Sequence, residues 1–234
     1  MAIIENKYRI GVKYVNQNRL LTLRGIILLL EDLACRHSDM VGFGINDTFK
    51  TNLSWVLLNW KIKILKEANY GSTVTVKTWS RDTNKLYTYR DFEIYDENNN
   101  LICIASSKWV LLSTKTGHIT QITDEIRNAY NPENKTVFEE PEISKLIEPS
   151  NANETFSFRV NRRDIDINNH MNNLYYLDYA LEALPEDVYL KKFKNVEITY
   201  KNSSKLGDIE QEDGYYVVMK SETSKMLYAI IKLC

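Results

Sequence analysis

The stretch Leu23-Arg24-Gly25-Ile26-Ile27-Leu28-Leu29-Leu30-Glu31-Asp32-Leu33 is apolar almost all the way round a helix. Such a helix has no face to give to water, so other elements must enclose it. The spacing predicts a helix over 22–36, preceded by an extended start over 8–14. Runs rich in Val, Ile, Tyr and Trp follow and read as strands at 53–65, 72–80, 86–95 and 101–113. Turn chemistry separates them at Asn69-Tyr70-Gly71 and at Glu97-Asn98-Asn99-Asn100.

The same order of events then recurs. An extended stretch at 156–160 leads to a helix over 172–184, stopped by Pro185, and to strands at 193–201, 215–220 and 226–233. Short segments echo one another: Ala68-Asn69-Tyr70-Gly71-Ser72 with Ser204-Lys205-Leu206-Gly207-Asp208, and Asp82 to Tyr87 with Glu222 to Tyr228. Three of the four prolines, Pro132, Pro141 and Pro149, fall in a polar stretch rich in Glu and Asn, which reads as a linker. The expected organisation is a first domain over 1–127, a linker over 128–153 and a second domain over 154–234. Antiparallel strands curling around one buried helix make the hotdog arrangement. The repeat therefore predicts an α+β chain, a tandem (double) hotdog of two antiparallel sheets each wrapped around a central helix.

Composition narrows the function. Lys plus Arg is 30 against 31 Asp plus Glu, a net charge of −1, so no global basicity argues for nucleic acid. The longest apolar run, Ile26 to Leu30, is far too short to cross a bilayer, and the first residues hold no signal-peptide apolar region. Cys35, Cys103 and Cys234 form no CxxC pair, which excludes a zinc ribbon or disulfide framework and fits a reducing cytoplasm. No Walker loop, GxGxxG or Gly-x-Ser-x-Gly elbow is present, so no nucleotide cofactor or serine-hydrolase chemistry is expected. His37, His118 and His170 have no ligand-like spacing, and no metal is expected. His37 reads as a charge partner of the first helix's C-terminus, and His118 as solvated.

One stretch concentrates chemistry: Asp164-Ile165-Asp166-Ile167-Asn168-Asn169-His170-Met171-Asn172-Asn173. Asp166, Asn168 and His170 alternate just ahead of the second helix, and alternation along an extended segment would aim all three to one side. The helix start beside them offers backbone N–H groups, so acid/base capacity would adjoin an oxyanion site. Overlaying the halves sets Asn16-Gln17-Asn18-Arg19-Leu20 on 166–170, and the first copy keeps neither carboxylate nor imidazole there. Asp and Asn before a helix also serve as caps, the competing explanation for each residue taken singly.

Asp166, Asn168, His170, Asn172, Asn173 and Tyr176 together resemble the active-site motif of the acyl-[acyl-carrier-protein] thioesterases of hotdog fold. Ser54-Trp55-Val56-Leu57, Thr78-Trp79, Arg90-Asp91-Phe92 and Lys108-Trp109-Val110-Leu111 occur in that family's order, so the resemblance covers nearly the whole chain. It implies hydrolysis of an acyl thioester on acyl carrier protein, releasing a free fatty acid without cofactor. Asp166, Asn168 and His170 would be catalytic. Asn172, Asn173, Tyr176, Trp55 and Leu29 would contact substrate, with the acyl chain held by the first domain. A family glutamate expected three residues beyond Tyr200 is replaced by Ser203. Either Asp166 and His170 complete the machinery, or activity is weak, or the register shifts and Glu197 or Asp208 serves. The implied partner is the acidic carrier, met by Lys191, Lys192 and Lys194 or by Lys61, Lys63 and Lys66, with the enzyme a monomer or homodimer. The alternatives are an acyl-CoA thioesterase and a non-catalytic acyl-carrier-binding hotdog protein.

Overall fold

The computed structural model describes residues 2–81, 84–149, 156–167, 170–201, 209–211, 215–221 and 226–234, with side chains left undescribed at 209–211. The chain divides into two units: residues 1–58 with 62–143, and residues 59–61 with 144–234.

In the first unit, β1 (Ile3–Arg9) leads through a 3-10 turn (Val12–Tyr14) to α1 (Leu23–Met40) and a short α2 (Thr48–Thr51). Strands β2 (Leu53–Ile64), β3 (Thr73–Ser80), β4 (Tyr87–Tyr95), β5 (Leu101–Ser113) and β6 (Ile119–Thr120) follow, and α3 (Asp124–Tyr130) closes the unit's regular structure. The strand order is β1-β3-β4-β5-β2 with β6 on β5, and the β1/β3, β3/β4 and β4/β5 pairs are antiparallel. The apolar helix is enclosed as its composition requires: Ile26, Ile27, Leu29, Leu30 and Leu33 are buried. They share the core with Val74, Val76, Phe92 and Ile94 of the sheet. Thr22 caps α1, its Oγ1 accepting the N–H of Gly25 at 2.9 Å. Gly25 is required by a close approach, since a Cβ there would lie 2.5 Å from the Tyr14 carbonyl oxygen.

His37 departs from expectation. The helix runs three residues beyond it, and the ring is fully buried with Nδ1 2.9 Å from Arg90 Nη1. Because Nδ1 accepts from a guanidinium, His37 is a neutral core acceptor rather than a charge at the helix end. His118 lies on an exposed turn.

The polar stretch expected as a linker is divided between α3 and the two units. α3 covers its first residues, and 133–141 docks along the first unit. Trp79 Nε1 donates to the Lys135 carbonyl at 2.9 Å and Val137 N–H to Asp91 Oδ2 at 3.0 Å. Arg81 Nη2 donates to the Pro141 carbonyl at 2.5 Å, and Glu133 N–H to the Ser80 carbonyl at 2.9 Å. Burial pushes the Asp91 carboxyl up, opposed by the adjacent Arg81 guanidinium and by donors from Ser106 and Val137.

In the second unit, a 3-10 turn (Arg162–Asp164) precedes α4 (Asn173–Glu182) and α5 (Glu186–Tyr189). Strands β7 (Asn195–Tyr200), β8 (Ile209–Gln211), β9 (Tyr215–Lys220) and β10 (Leu227–Leu233) run in the order β7-β10-β9-β8, and the β7/β10, β10/β9 and β9/β8 pairs are antiparallel. Leu174, Leu177 and Ala180 of α4 are buried, as are Val196, Ile198, Ala229 and Ile231 of the sheet. The expected strand at 156–160 is absent: these residues are irregular. Both units thus have the hotdog make-up of an antiparallel sheet and one main helix.

Candidate active site

Residues 164–167 and 170–173 pair with one another rather than running on as one extended segment. Asn172 N–H donates to the Asp164 carbonyl at 2.8 Å, and Asp166 N–H to the His170 carbonyl at 2.8 Å, with an antiparallel bridge between Ile165 and Met171. Asp166 Oδ1 accepts the His170 N–H at 3.1 Å, closing the turn. Asp166 is half-buried and His170 exposed, so the loop offers both to solvent. Asn168 lies outside the described residues, and in place of the expected alternation Asp166 bonds back to His170 through both its N–H and its side chain. The physical reason is local: an Asp side chain that bonds the backbone ahead of it stabilises a turn better than a lone strand without neighbours.

The first unit contains the same loop, 150 residues earlier. Thr22 N–H donates to the Tyr14 carbonyl at 2.9 Å, Asn16 N–H to the Leu20 carbonyl at 3.0 Å, and Val15 bridges Leu21. Asn16 Oδ1 accepts the Leu20 N–H at 3.1 Å, the contact Asp166 makes to His170. Each loop follows a 3-10 turn and delivers a capped helix. A carboxamide therefore suffices to close this turn. The carboxylate of Asp166 and the imidazole of His170 are additions to a loop that forms without them.

Asn172 caps α4, its Oδ1 accepting the Leu174 N–H at 2.9 Å while its carbonyl accepts from Tyr175 at 3.0 Å. Asn173 occupies the first helical position, where its N–H points out of the helix start. The Asn173 carbonyl accepts from Tyr200 Oη at 3.2 Å, and the Tyr200 ring meets Tyr176 edge-on with centroids 5.7 Å apart. Tyr176 is buried beneath the helix. The end of β7 therefore lies against the head of α4. Ser203, Ser204 and Asp208 lie outside the described residues. Glu197, three positions before Tyr200, alternates to the opposite face and stands across from Lys232.

Trp55 and Leu29 belong to the first unit. Trp55 Nε1 donates to Tyr130 Oη at 2.9 Å, and Tyr130 in turn donates to Ser38 Oγ at 2.8 Å, joining β2, α3 and α1. Leu29 is wholly buried on α1. Of the lysines, Lys191 bonds Tyr215 Oη.

Sequence reasoning passed over Asp164. It is fully buried, and its Oδ2 accepts from Tyr179 Oη at 2.6 Å and from Asn161 N–H at 2.7 Å. Burial works to raise its carboxyl, but the donors from Tyr179 and Asn161 and the nearby Arg163 outweigh that and hold it below the usual carboxylate range. The available signal was that Asp164 has no carboxylate counterpart in the first copy, where Tyr14 stands.

Comparison with known proteins matches residues 2–130 to the acyl-ACP thioesterase N-terminal domain and residues 147–231 to the acyl-ACP thioesterase C-terminal domain. The chain is 29% identical over 225 residues to oleoyl-acyl carrier protein thioesterase 2 of Arabidopsis thaliana, covering 88% of this chain and 59% of that protein. It is 27% identical to a palmitoyl-acyl carrier protein thioesterase of Cuphea hookeriana, covering 80% of this chain and 48% of the relative. The chain thus spans about half to three-fifths of the length of these curated relatives. Among solved structures, an acyl-ACP thioesterase of Bacteroides thetaiotaomicron superposes with a TM-score of 0.84 at 24% identity, covering 99% of this chain and 96% of the other. The 12:0-ACP thioesterase of Umbellularia californica gives 0.80 at 19% identity, covering 99% and 96%. These likenesses establish the double hotdog fold.

Proposed function

Because the chain belongs to the acyl-ACP thioesterase family, as its match to both domain models shows, we propose that it hydrolyses acyl thioesters on acyl carrier protein and releases the free fatty acid. The observation that carries this reading is the paired loop. One hairpin is built twice, and only the copy at the head of α4 carries an acid and an imidazole, Asp166 and His170.

The chemistry follows from that placement. A thioester carbonyl seated at the start of α4 would have its oxygen near the Asn173 N–H and the positive end of the helix, which favours the negative charge of a tetrahedral intermediate. Asp166 would take a proton from the attacking water, or attack the carbonyl itself to form a mixed anhydride that water then opens. In both routes the C–S bond breaks and the thiol leaves with a proton. The His170 imidazole and Asn168 would orient the carbonyl and water by hydrogen bonds, and Asn172 would keep the helix start open by capping Leu174. Tyr176 supports the site from beneath. The first unit would hold the acyl chain, with Leu29 and Trp55 among its apolar wall, and no cofactor takes part. Lys191, Lys192 and Lys194, which follow α5 in the same unit, offer positive charge for the acidic carrier.

The test is hydrolysis of carrier-bound acyl thioesters of graded chain length beside the matching acyl-CoA series. Faster turnover of the carrier-bound series supports the reading. Preference for acyl-CoA would move the assignment to an acyl-CoA thioesterase. Carrier binding without release of fatty acid would make the protein a silent carrier-binding module.

A further inference from the structure

We infer that Asp164 and Tyr179 form a positioning pair that locks the base of the catalytic loop to the helix carrying the oxyanion site. This inference rests on the thioesterase reading above and adds two residues to it. The Asp164 carbonyl holds the Asn172 N–H at 2.8 Å, so Asp164 is one of the two residues at which the hairpin closes. Its buried carboxylate then ties that base to α4 through Tyr179 Oη at 2.6 Å, and to the incoming turn through the Asn161 N–H at 2.7 Å. The tyrosine is itself held: its ring stacks on Phe158 with centroids 3.6 Å apart and an interplanar angle of 13°. Asn161 Nδ2 also donates to Tyr179 Oη at 3.1 Å.

The first unit acts as an internal control. At the positions of Asn161, Asp164 and Tyr179 it has Gly11, Tyr14 and Leu29, so the carboxylate acceptor and the helix hydroxyl that make this tether are both missing. Its loop nevertheless keeps the same bridge, the same turn closure and a capped helix. The trio is therefore unnecessary for the shape of the loop. Burying a carboxylate is costly unless it is matched by donors, and a fold does not need this one. What the tether adds is a fixed relation between Asp166 and His170 on the loop and the N–H groups of α4. A displacement of about 1 Å between reacting groups costs on the order of 100-fold in rate, so such fixing acts on turnover rather than on shape. Asp164 Oδ1 makes no hydrogen bond among the described residues and lies 3.5 Å from Arg163 Nε, so the carboxylate is committed through one oxygen.

The experiment compares wild type with Tyr179→Phe, Asp164→Ala, Asp164→Asn and the double variant Asp164→Ala/Tyr179→Phe. Each is assayed for kcat and KM on acyl-carrier thioesters, and for amide exchange at His170 and Asn172. The expected result is a kcat lowered roughly 10- to 100-fold with KM within about twofold, in line with the cost of displacing a catalytic group. Asp164→Asn, which keeps an acceptor for Tyr179, should recover part of the loss. The double variant should fall no further than the worse single one, the mark of one shared interaction. Exchange at His170 and Asn172 should rise while Leu20 and Thr22, their first-unit counterparts, stay protected. Unchanged kcat in folded variants, additive losses, or equal loosening of both loops would overturn the inference. If wild type itself turns over no thioester, the thioesterase reading fails, and the amide exchange still decides whether the tether holds the loop.

Discussion

Replacing Gly25 by alanine sets two effects of opposite sign against each other. In a helix interior alanine is favoured over glycine by about 0.8–1 kcal/mol, so propensity alone predicts stabilisation. The structure predicts the reverse. A Cβ at this position would sit 2.5 Å from the Tyr14 carbonyl oxygen, 2.9 Å from Leu21 Cδ1 and 3.1 Å from Tyr14 Cα. The nearest of these is backbone, and that backbone is occupied: the Tyr14 carbonyl accepts both the N–H and the Oγ1 of Thr22, at 2.9 and 3.1 Å. Relieving the clash means moving α1 off the loop or loosening the loop's base. Overpacking of this kind costs about 1–3 kcal/mol, rising where backbone must shift. Because the nearest atom is backbone, the upper part of that range applies, about 2–3 kcal/mol. Less the propensity gain, the net is a loss of about 1–2 kcal/mol, or a fall in Tm of about 2–8 °C at the slope for chains of this size. Thermal unfolding of Gly25→Ala beside Gly25→Ser, which adds the same Cβ with less helix propensity, measures it. A Tm equal to or above wild type for the alanine variant would refute the close packing of loop on helix.

Three further outcomes follow. Asp164 is held below the ordinary carboxylate range in the folded protein, so its contribution is present above the unfolded-state pKa and lost as pH falls through the lower, folded-state value. Acid titration of stability should accordingly be less steep in Asp164→Asn than in wild type, and identical acid limbs would contradict it. Tyr130→Phe leaves Trp55 Nε1 without its acceptor and Ser38 without its donor inside a buried cluster, which should cost about 1–3 kcal/mol in urea unfolding. A change under about 0.5 kcal/mol would show that the link between β2 and α3 carries no energy. Burial pushes the Cys103 thiol up to about 12, whereas Cys234 is exposed. Thiol reagents at neutral pH should label Cys234 in the native protein and reach Cys103 only on unfolding; native labelling of Cys103 would contradict its burial.

Much of the architecture was legible because it is written locally. β-branched and aromatic runs gave β5 its exact bounds and β2, β3 and β4 within a residue or so, and the apolar girth of Leu23–Leu33 required enclosure. The repeat was legible too, because Asn16 and Asp166 are both side chains that close a turn. What escaped depends on partners far along the chain. His37 meets Arg90 across 53 residues, which no helix-end rule anticipates. The docking of 133–141 runs largely through backbone groups of Lys135, Val137 and Pro141, which composition does not display. At 156–160 apolar residues suggested a strand, yet Phe158 is spent stacking on Tyr179. Asp164 was overlooked because alternation drew attention to Asp166. Its role shows only when Tyr179, 15 residues on, is brought round by the helix.

The two loops are alike in their closing hydrogen bonds and unlike in chemistry. The most direct measurement is turnover of one carrier-bound acyl thioester by wild type, Asn16→Ala and Asp166→Ala, each first shown to be folded by circular dichroism. Both substitutions remove the same turn-closing contact, at 3.1 Å in each loop, so both should cost a similar amount of stability. Only Asp166→Ala should abolish hydrolysis, by a factor of at least 100 as expected for loss of a general base, with Asn16→Ala within about twofold of wild type. Equal losses from the two variants, or an Asp166→Ala protein that still releases fatty acid, would contradict the account.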